Sequence, residues 1–154
     1  MKKVLLLFLA CFMLACAAPV AASSVPSLDM AGLTNLLMKN RGKAVLLNFF
    51  ATWCPPCRME IPELVNIRRK YKEKDVLVVS LSVDEDAAAV PPFAQKMRMD
   101  YPVFMAGKDI ARAFRITSIP HNALYDGTGK RVFSQEGMLD AETLSEMLDE
   151  LLKK

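Results

Sequence analysis

Cys54 and Cys57 stand three positions apart, directly after the apolar run 44–51 and at the head of a stretch with helical spacing. Two thiols so placed can form and break a disulfide: one attacks, and the other resolves the mixed disulfide that results. A thiol reacts as its thiolate, and the unpaired amides and dipole of a helix N-terminus lower its pKa. Cys54 falls at the N-cap, and Pro55 takes the first helical position, where a missing N–H costs nothing. The amide of Cys57 is then free to point at the Cys54 sulfur. Cys57, one turn further in, is more shielded and suits the resolving role.

Three plainer readings compete. A zinc site needs about four ligands, and the chain beyond residue 22 offers two cysteines and one histidine. A structural disulfide across so small a loop would constrain the unfolded chain little. Two unrelated core cysteines would not explain a position between a strand and a helix. With Trp53 ahead of it, the pair in that setting is a strong redox signal.

The elements around the pair follow from hydrophobic period. Residues 44–51 are apolar except for Asn48, and 76–83 form a second such run; both suit strands buried on two faces. From Pro55 the period turns helical, with Ile61, Leu64, Val65 and Arg68 on one face and basic residues in the last turns. Leu33, Leu36 and Leu37 mark an earlier helix over 28–40, after a linker at 23–28. Pro91-Pro92 opens a short helix carrying Phe93 and Met97. A short strand at 101–105 and a helical turn around Ile110 and Phe114 follow. Asp126-Gly127-Thr128-Gly129 joins strands at 121–125 and 131–135 as a hairpin. Asp140 caps a last helix whose Leu144, Met147, Leu148, Leu151 and Leu152 form a stripe that docks on the sheet. The order predicts a small α/β sandwich, its first two strands parallel and its hairpin end antiparallel.

The N-terminus reads as an appendage. Lys2 and Lys3 precede an apolar run and a small-residue exit, a secretory signal over 1–22 followed by one domain over 23–154. The rival is a lipoprotein signal ending before Cys16, which would give a lipid anchor. Either places the domain outside the cytoplasmic membrane. Cleavage after residue 22 leaves 18 basic against 17 acidic residues, so nothing in the charge favours nucleic acid. It also removes Cys11 and Cys16, leaving Cys54 and Cys57 as the only thiols.

Residues 51–62, Ala-Thr-Trp-Cys-Pro-Pro-Cys-Arg-Met-Glu-Ile-Pro, resemble the active-site signature of thioredoxin-fold proteins of the TlpA/ResA type. The resemblance runs on through Ser82-Val83-Asp84, Ile119-Pro120 and Tyr125-Asp126-Gly127-Thr128-Gly129-Lys130, and covers roughly 40–150. It implies a thioredoxin-like three-layer sandwich with a central mixed sheet, no cofactor and no resident metal. Cys54 would be the nucleophile, Cys57 the resolving thiol, and Glu60 an acidic group that tunes the pair and shuttles a proton. Pro120 would be a cis-proline facing the cysteines, with Ile119 pairing to an extended substrate segment, and Trp53 would touch substrate. Pro62 matches a proline that kinks the active-site helix. Partners would be protein thiols and disulfides and a membrane electron donor. Members of the family are typically exported, and several act as reductants in cytochrome c maturation. One departure from thioredoxin itself is Asn48, six positions before Cys54, where a buried carboxylate would serve as proton acceptor; that work passes to Glu60 or water.

Other readings stay open. The same chemistry could introduce or isomerise disulfides, and Cys54, Cys57 and His121 could serve a copper chaperone. Against the latter stands the plainer view of His121 as a strand residue with a satisfied hydrogen bond. Asp84-Glu85-Asp86 reads as a solvated connection, and the 68–74 basic cluster as a solvated helix end.

Overall fold

The computed structural model describes residues 25–153; the proposed signal segment and Cys16 lie outside them. Six strands form one sheet: β1 (Ser27–Leu28), β2 (Ala44–Phe50), β3 (Val76–Ser82), β4 (Val103–Ala106), β5 (His121–Tyr125) and β6 (Arg131–Glu136), in the order β1-β4-β3-β2-β5-β6. The pairs on the β1 side of β2 are parallel, and β2–β5 and β5–β6 are antiparallel. Five α-helices flank it: α1 (Met30–Lys39), α2 (Pro55–Lys70), α3 (Val90–Lys96), α4 (Lys108–Ala113) and α5 (Ala141–Leu152).

Side chains alternate across β2 and so divide the core. Ala44, Leu46 and Phe50 face Ile61 and Leu64 of α2 and Leu144 and Leu148 of α5. Val45, Leu47 and Phe49 face Leu33 of α1, Ile110 of α4 and Phe114. Leu64 is wholly buried, and full burial of a leucine contributes roughly 1.5–3 kcal/mol. Asp29, Cys54 and Asp140 cap α1, α2 and α5 through their side chains.

One segment departs from expectation. Residues 27 and 28, read as linker, form the edge strand β1, with Ser27 opposite Met105 and Leu28 opposite Ala106. Two residues are too few to show a period, and their pairing lies almost eighty positions away.

Topology positions the site. The C-terminal end of β2 delivers the chain to the N-terminus of α2, where the cysteines lie. Because β5 runs antiparallel to β2, its beginning lies at that same end, with His121 opposite Phe49. The peptide just before β5, Ile119–Pro120, therefore meets the head of α2.

Candidate active site

Cys54 and Cys57 are joined as a disulfide, with Cα atoms 5.3 Å apart. Cys54 is the N-cap of α2, Pro55 and Pro56 fill the first helical positions, and the Cys57 N–H donates to Cys54 Sγ at 3.2 Å. That amide can stabilise a Cys54 thiolate once the bond is reduced. Cys57 is fully enclosed, and Cys54 is 3% exposed. The Ile119–Pro120 peptide is cis, and the Ile119 carbonyl oxygen lies 3.7 Å from Cys54 Sγ. Trp53 is 65% exposed and borders a shallow apolar hollow of about 240 Å³ with Val83, Ala111, Ile116 and Ile119. Pro62 lies within α2 without ending it.

Glu60 is on α2, three positions after Cys57, a spacing that places two side chains on the same helical face. A lone carboxylate early in a helix is usually solvated, yet Glu60 is 0% exposed. Its Oε2 accepts from Asn48 Nδ2 at 2.8 Å, and its Oε1 accepts from Asn122 Nδ2 at 2.6 Å and from the Leu139 N–H at 2.8 Å. These are neutral donors. Burial raises the Glu60 pKa, and the bonds from Leu139, Asn122 and Asn48 pull it back only in part. Asn48 and Asn122 sit opposite each other on β2 and β5; Asn48 Nδ2 also donates to Asn122 Oδ1 at 3.0 Å, and Ser80 Oγ donates to Asn48 Oδ1 at 3.3 Å. Asn48 thus gives up the role of proton acceptor and becomes the partner of a carboxylate carried on the helix.

Asp84 corrects the sequence reading of a solvated connection. It is buried and accepts from the Thr52 N–H at 2.9 Å, Thr52 Oγ1 at 2.7 Å and Ser82 Oγ at 2.6 Å. From the other side Arg58 Nε donates to the Thr52 carbonyl at 2.7 Å. The turn leading into Cys54 is therefore held by Asp84, just beyond β3, and by Arg58 of α2.

His121 does not join the sulfurs. It lies on the opposite face of β5 from Asn122, its ring edge-on to Phe49 and 6.4 Å from Phe114, with Nε2 2.8 Å from Ser134 Oγ. Burial lowers its pKa. Among the described residues no group of three or more His, Cys, Asp or Glu could hold a metal ion. The copper site of Cys54, Cys57 and His121 is not assembled here.

Sequence reasoning missed Asn122 and the Thr52–Asp84 contact. A signal existed for the first: an asparagine within an otherwise apolar strand requires a buried partner, and both Asn48 and Asn122 are such residues. The second carried no local signal, since its partners are 32 positions apart.

A mixed sheet of this order, with a disulfide at the head of its long central helix and a cis-proline against it, defines a thioredoxin-like fold built for thiol–disulfide exchange. Residues 17–151 match the Redoxin family, and the chain belongs to that family as a thiol–disulfide oxidoreductase. It is 35% identical over 127 residues to the thiol–disulfide oxidoreductase ResA of Bacillus thuringiensis, covering 82% of this chain and 71% of that protein. It also superposes on a thioredoxin-family thiol:disulfide interchange protein of Chlorobium tepidum with a TM-score of 0.69 at 31% identity, over 75% of this chain and 83% of the other. A thiol–disulfide isomerase from Corynebacterium glutamicum matches with a TM-score of 0.70 at 25% identity, over 84% and 96%. No helix among the described residues is long and apolar enough to cross a membrane.

Proposed function

We propose that this oxidoreductase works outside the cytoplasmic membrane as a reductant of protein disulfides, with cytochrome c maturation as the setting that its resemblance to ResA suggests. The observation that carries the reading is the buried Glu60 carboxylate one helical turn beyond a shielded Cys57, beneath a Cys54 sulfur that receives a helix-terminal amide.

The Cys54 thiolate attacks one sulfur of a substrate disulfide, and the other substrate sulfur leaves as a thiolate and takes a proton. Cys57 passes its proton to Glu60 and attacks Cys54, breaking the mixed disulfide. The second substrate sulfur departs, two electrons have moved to the substrate, and the Cys54–Cys57 disulfide remains. Glu60 then releases its proton. Trp53, Ile119 and cis-Pro120 form the wall against which an extended substrate segment lies, the Ile119 carbonyl accepting from its backbone. Re-reduction falls to a dithiol donor reached through the membrane, because the compartment outside it is oxidising. The leader at 1–22 delivers the domain there, either cleaved or retained through lipid on Cys16.

The deciding experiment is the equilibrium potential of the Cys54–Cys57 couple against glutathione. A value well below about −230 mV supports the reductant, and one near about −120 mV supports a disulfide-forming oxidant instead. Cys54→Ser should abolish turnover, and Cys57→Ser should accumulate the mixed disulfide.

A further inference from the structure

The Glu60 cage has a polarity of its own. Each of its three contacts presents an N–H, and the two amides are oriented by contacts beyond the carboxylate. Asn122 Oδ1 is occupied by Asn48 Nδ2, and Asn122 Nδ2 also donates to the Gly137 carbonyl at 3.3 Å. Asn48 Oδ1 is occupied by Ser80 Oγ. Turning Asn122 to offer its oxygen to Glu60 would set its NH2 against Asn48 Nδ2 and its oxygen against the Gly137 carbonyl, and turning Asn48 would set its oxygen against Asn122 Oδ1. The third donor, Leu139 N–H, is backbone and cannot invert. A protonated Glu60 would therefore find no acceptor in its cage, whereas an ionised one has all three donors satisfied.

We infer that Asn48 and Asn122 are positioning residues that hold Glu60 ionised in the disulfide form, so that the proton taken from Cys57 is expelled and the base is reset after each turnover. The inference rests on the proposed role of Glu60 and deepens it. Its chemistry balances without a further reactant: the proton leaves Cys57 sulfur, resides on a Glu60 oxygen while the mixed disulfide resolves, and passes to water or the departing substrate thiolate. Tyr101, before β4, faces Glu60, and burial holds its phenol neutral across the working range; Cys57 on α2 becomes titratable only when its bond to Cys54 opens, and His121 faces the other side of the sheet.

The test has two parts. Carbon-13 carboxyl NMR of the unmutated oxidised protein should show Glu60 ionised at pH 7; a Glu60 still protonated there would overturn the inference whatever any variant does. The pH profile of insulin disulfide reduction should then be compared in Asn122→Ala and Asn48→Ala. Loss of one donor to the carboxylate should move the acid limb up by at least about one pH unit, roughly a tenfold loss of rate on that limb, with the Glu60 NMR titration moving alongside. A purely structural role would lower the rate evenly and leave the limb in place, which overturns the inference. Glu60→Gln separates the two levels. If it erases the limb while both asparagine variants retain it, Glu60 is the base and the cage is idle; if it leaves the limb untouched, the base and the cage fail together.

Discussion

Replacing Asp84 with alanine probes how the turn before Cys54 is held. The carboxylate accepts from the Thr52 N–H, the Thr52 hydroxyl and the Ser82 hydroxyl. Hydrogen bonds to a charged group contribute about 1.5–3 kcal/mol each when it is buried. The two hydroxyls can rotate towards other acceptors, so the full sum is not lost. Counting the Thr52 amide and one hydroxyl gives a destabilisation of about 3 kcal/mol for Asp84→Ala. Asp84→Asn keeps an oxygen for the Thr52 amide and can turn its NH2 to Ser82 Oγ, which reduces the cost to about 1 kcal/mol. Urea unfolding followed by circular dichroism, with the disulfide intact, measures both. The midpoint should fall while the slope stays constant. A loss below about 1 kcal/mol for the alanine variant, or equal losses for the two, would refute the clasp. The same variants should slow attack by Cys54 more than they change the fold, because Thr52 stands two residues from the sulfur and Arg58 grips the same residue's carbonyl.

Trp53→Ala should leave stability within about 0.5 kcal/mol, as expected for a largely exposed side chain, while raising KM for a protein disulfide; a melting curve and steady-state kinetics check the two halves. Tyr71→Phe removes bonds from the phenol to Asp149 Oδ1 (2.7 Å) and the Ser145 carbonyl (3.1 Å) that tie the end of α2 to α5, and should cost about 1 kcal/mol in urea unfolding. Burial raises the Glu60 pKa above its ordinary 4.5, so the native state binds more protons than the unfolded chain between those values. Its contribution to stability is present below pH 4.5 and is lost as pH rises through the folded value. His121, with its pKa lowered by burial from 6.5, runs the other way, losing stability as pH falls. The stability of wild type relative to Glu60→Gln should therefore fall as pH rises above 4.5 and level off once Glu60 is ionised in the native state; a difference that does not change with pH would contradict it.

The frame was largely legible in the chain because its signals are local. The β2 and β3 runs, the hairpin glycines, the Asp140 cap and the Cys54-Pro55 start of α2 all announce themselves within a few residues. The polar interior was not legible, because each partnership joins positions far apart: Asn48 with Asn122 across 74 residues, Glu60 with Leu139 across 79. Asp84 misled for a related reason. An acidic triplet after a strand usually faces water, and only the turn of β2 brought beside it makes one of the three a buried acceptor. Ser27 and Leu28 are a strand solely because β4 offers them an edge.

The hydrogen bonds around the exit from β6 bear on protein engineering. Gly137 N–H donates to the Pro120 carbonyl at 2.8 Å, the Gly137 carbonyl accepts from Asn122, and two residues later Leu139 holds Glu60. The wall beside the sulfurs and the carboxylate beneath them are thus fastened by one short loop that contains neither. Transplanting residues 51–62 alone into another sheet of this order would carry over the sulfurs and the glutamate but strand the glutamate without its donors. A working graft has to bring Asn48, residues 119–122 and residues 137–139 as a set.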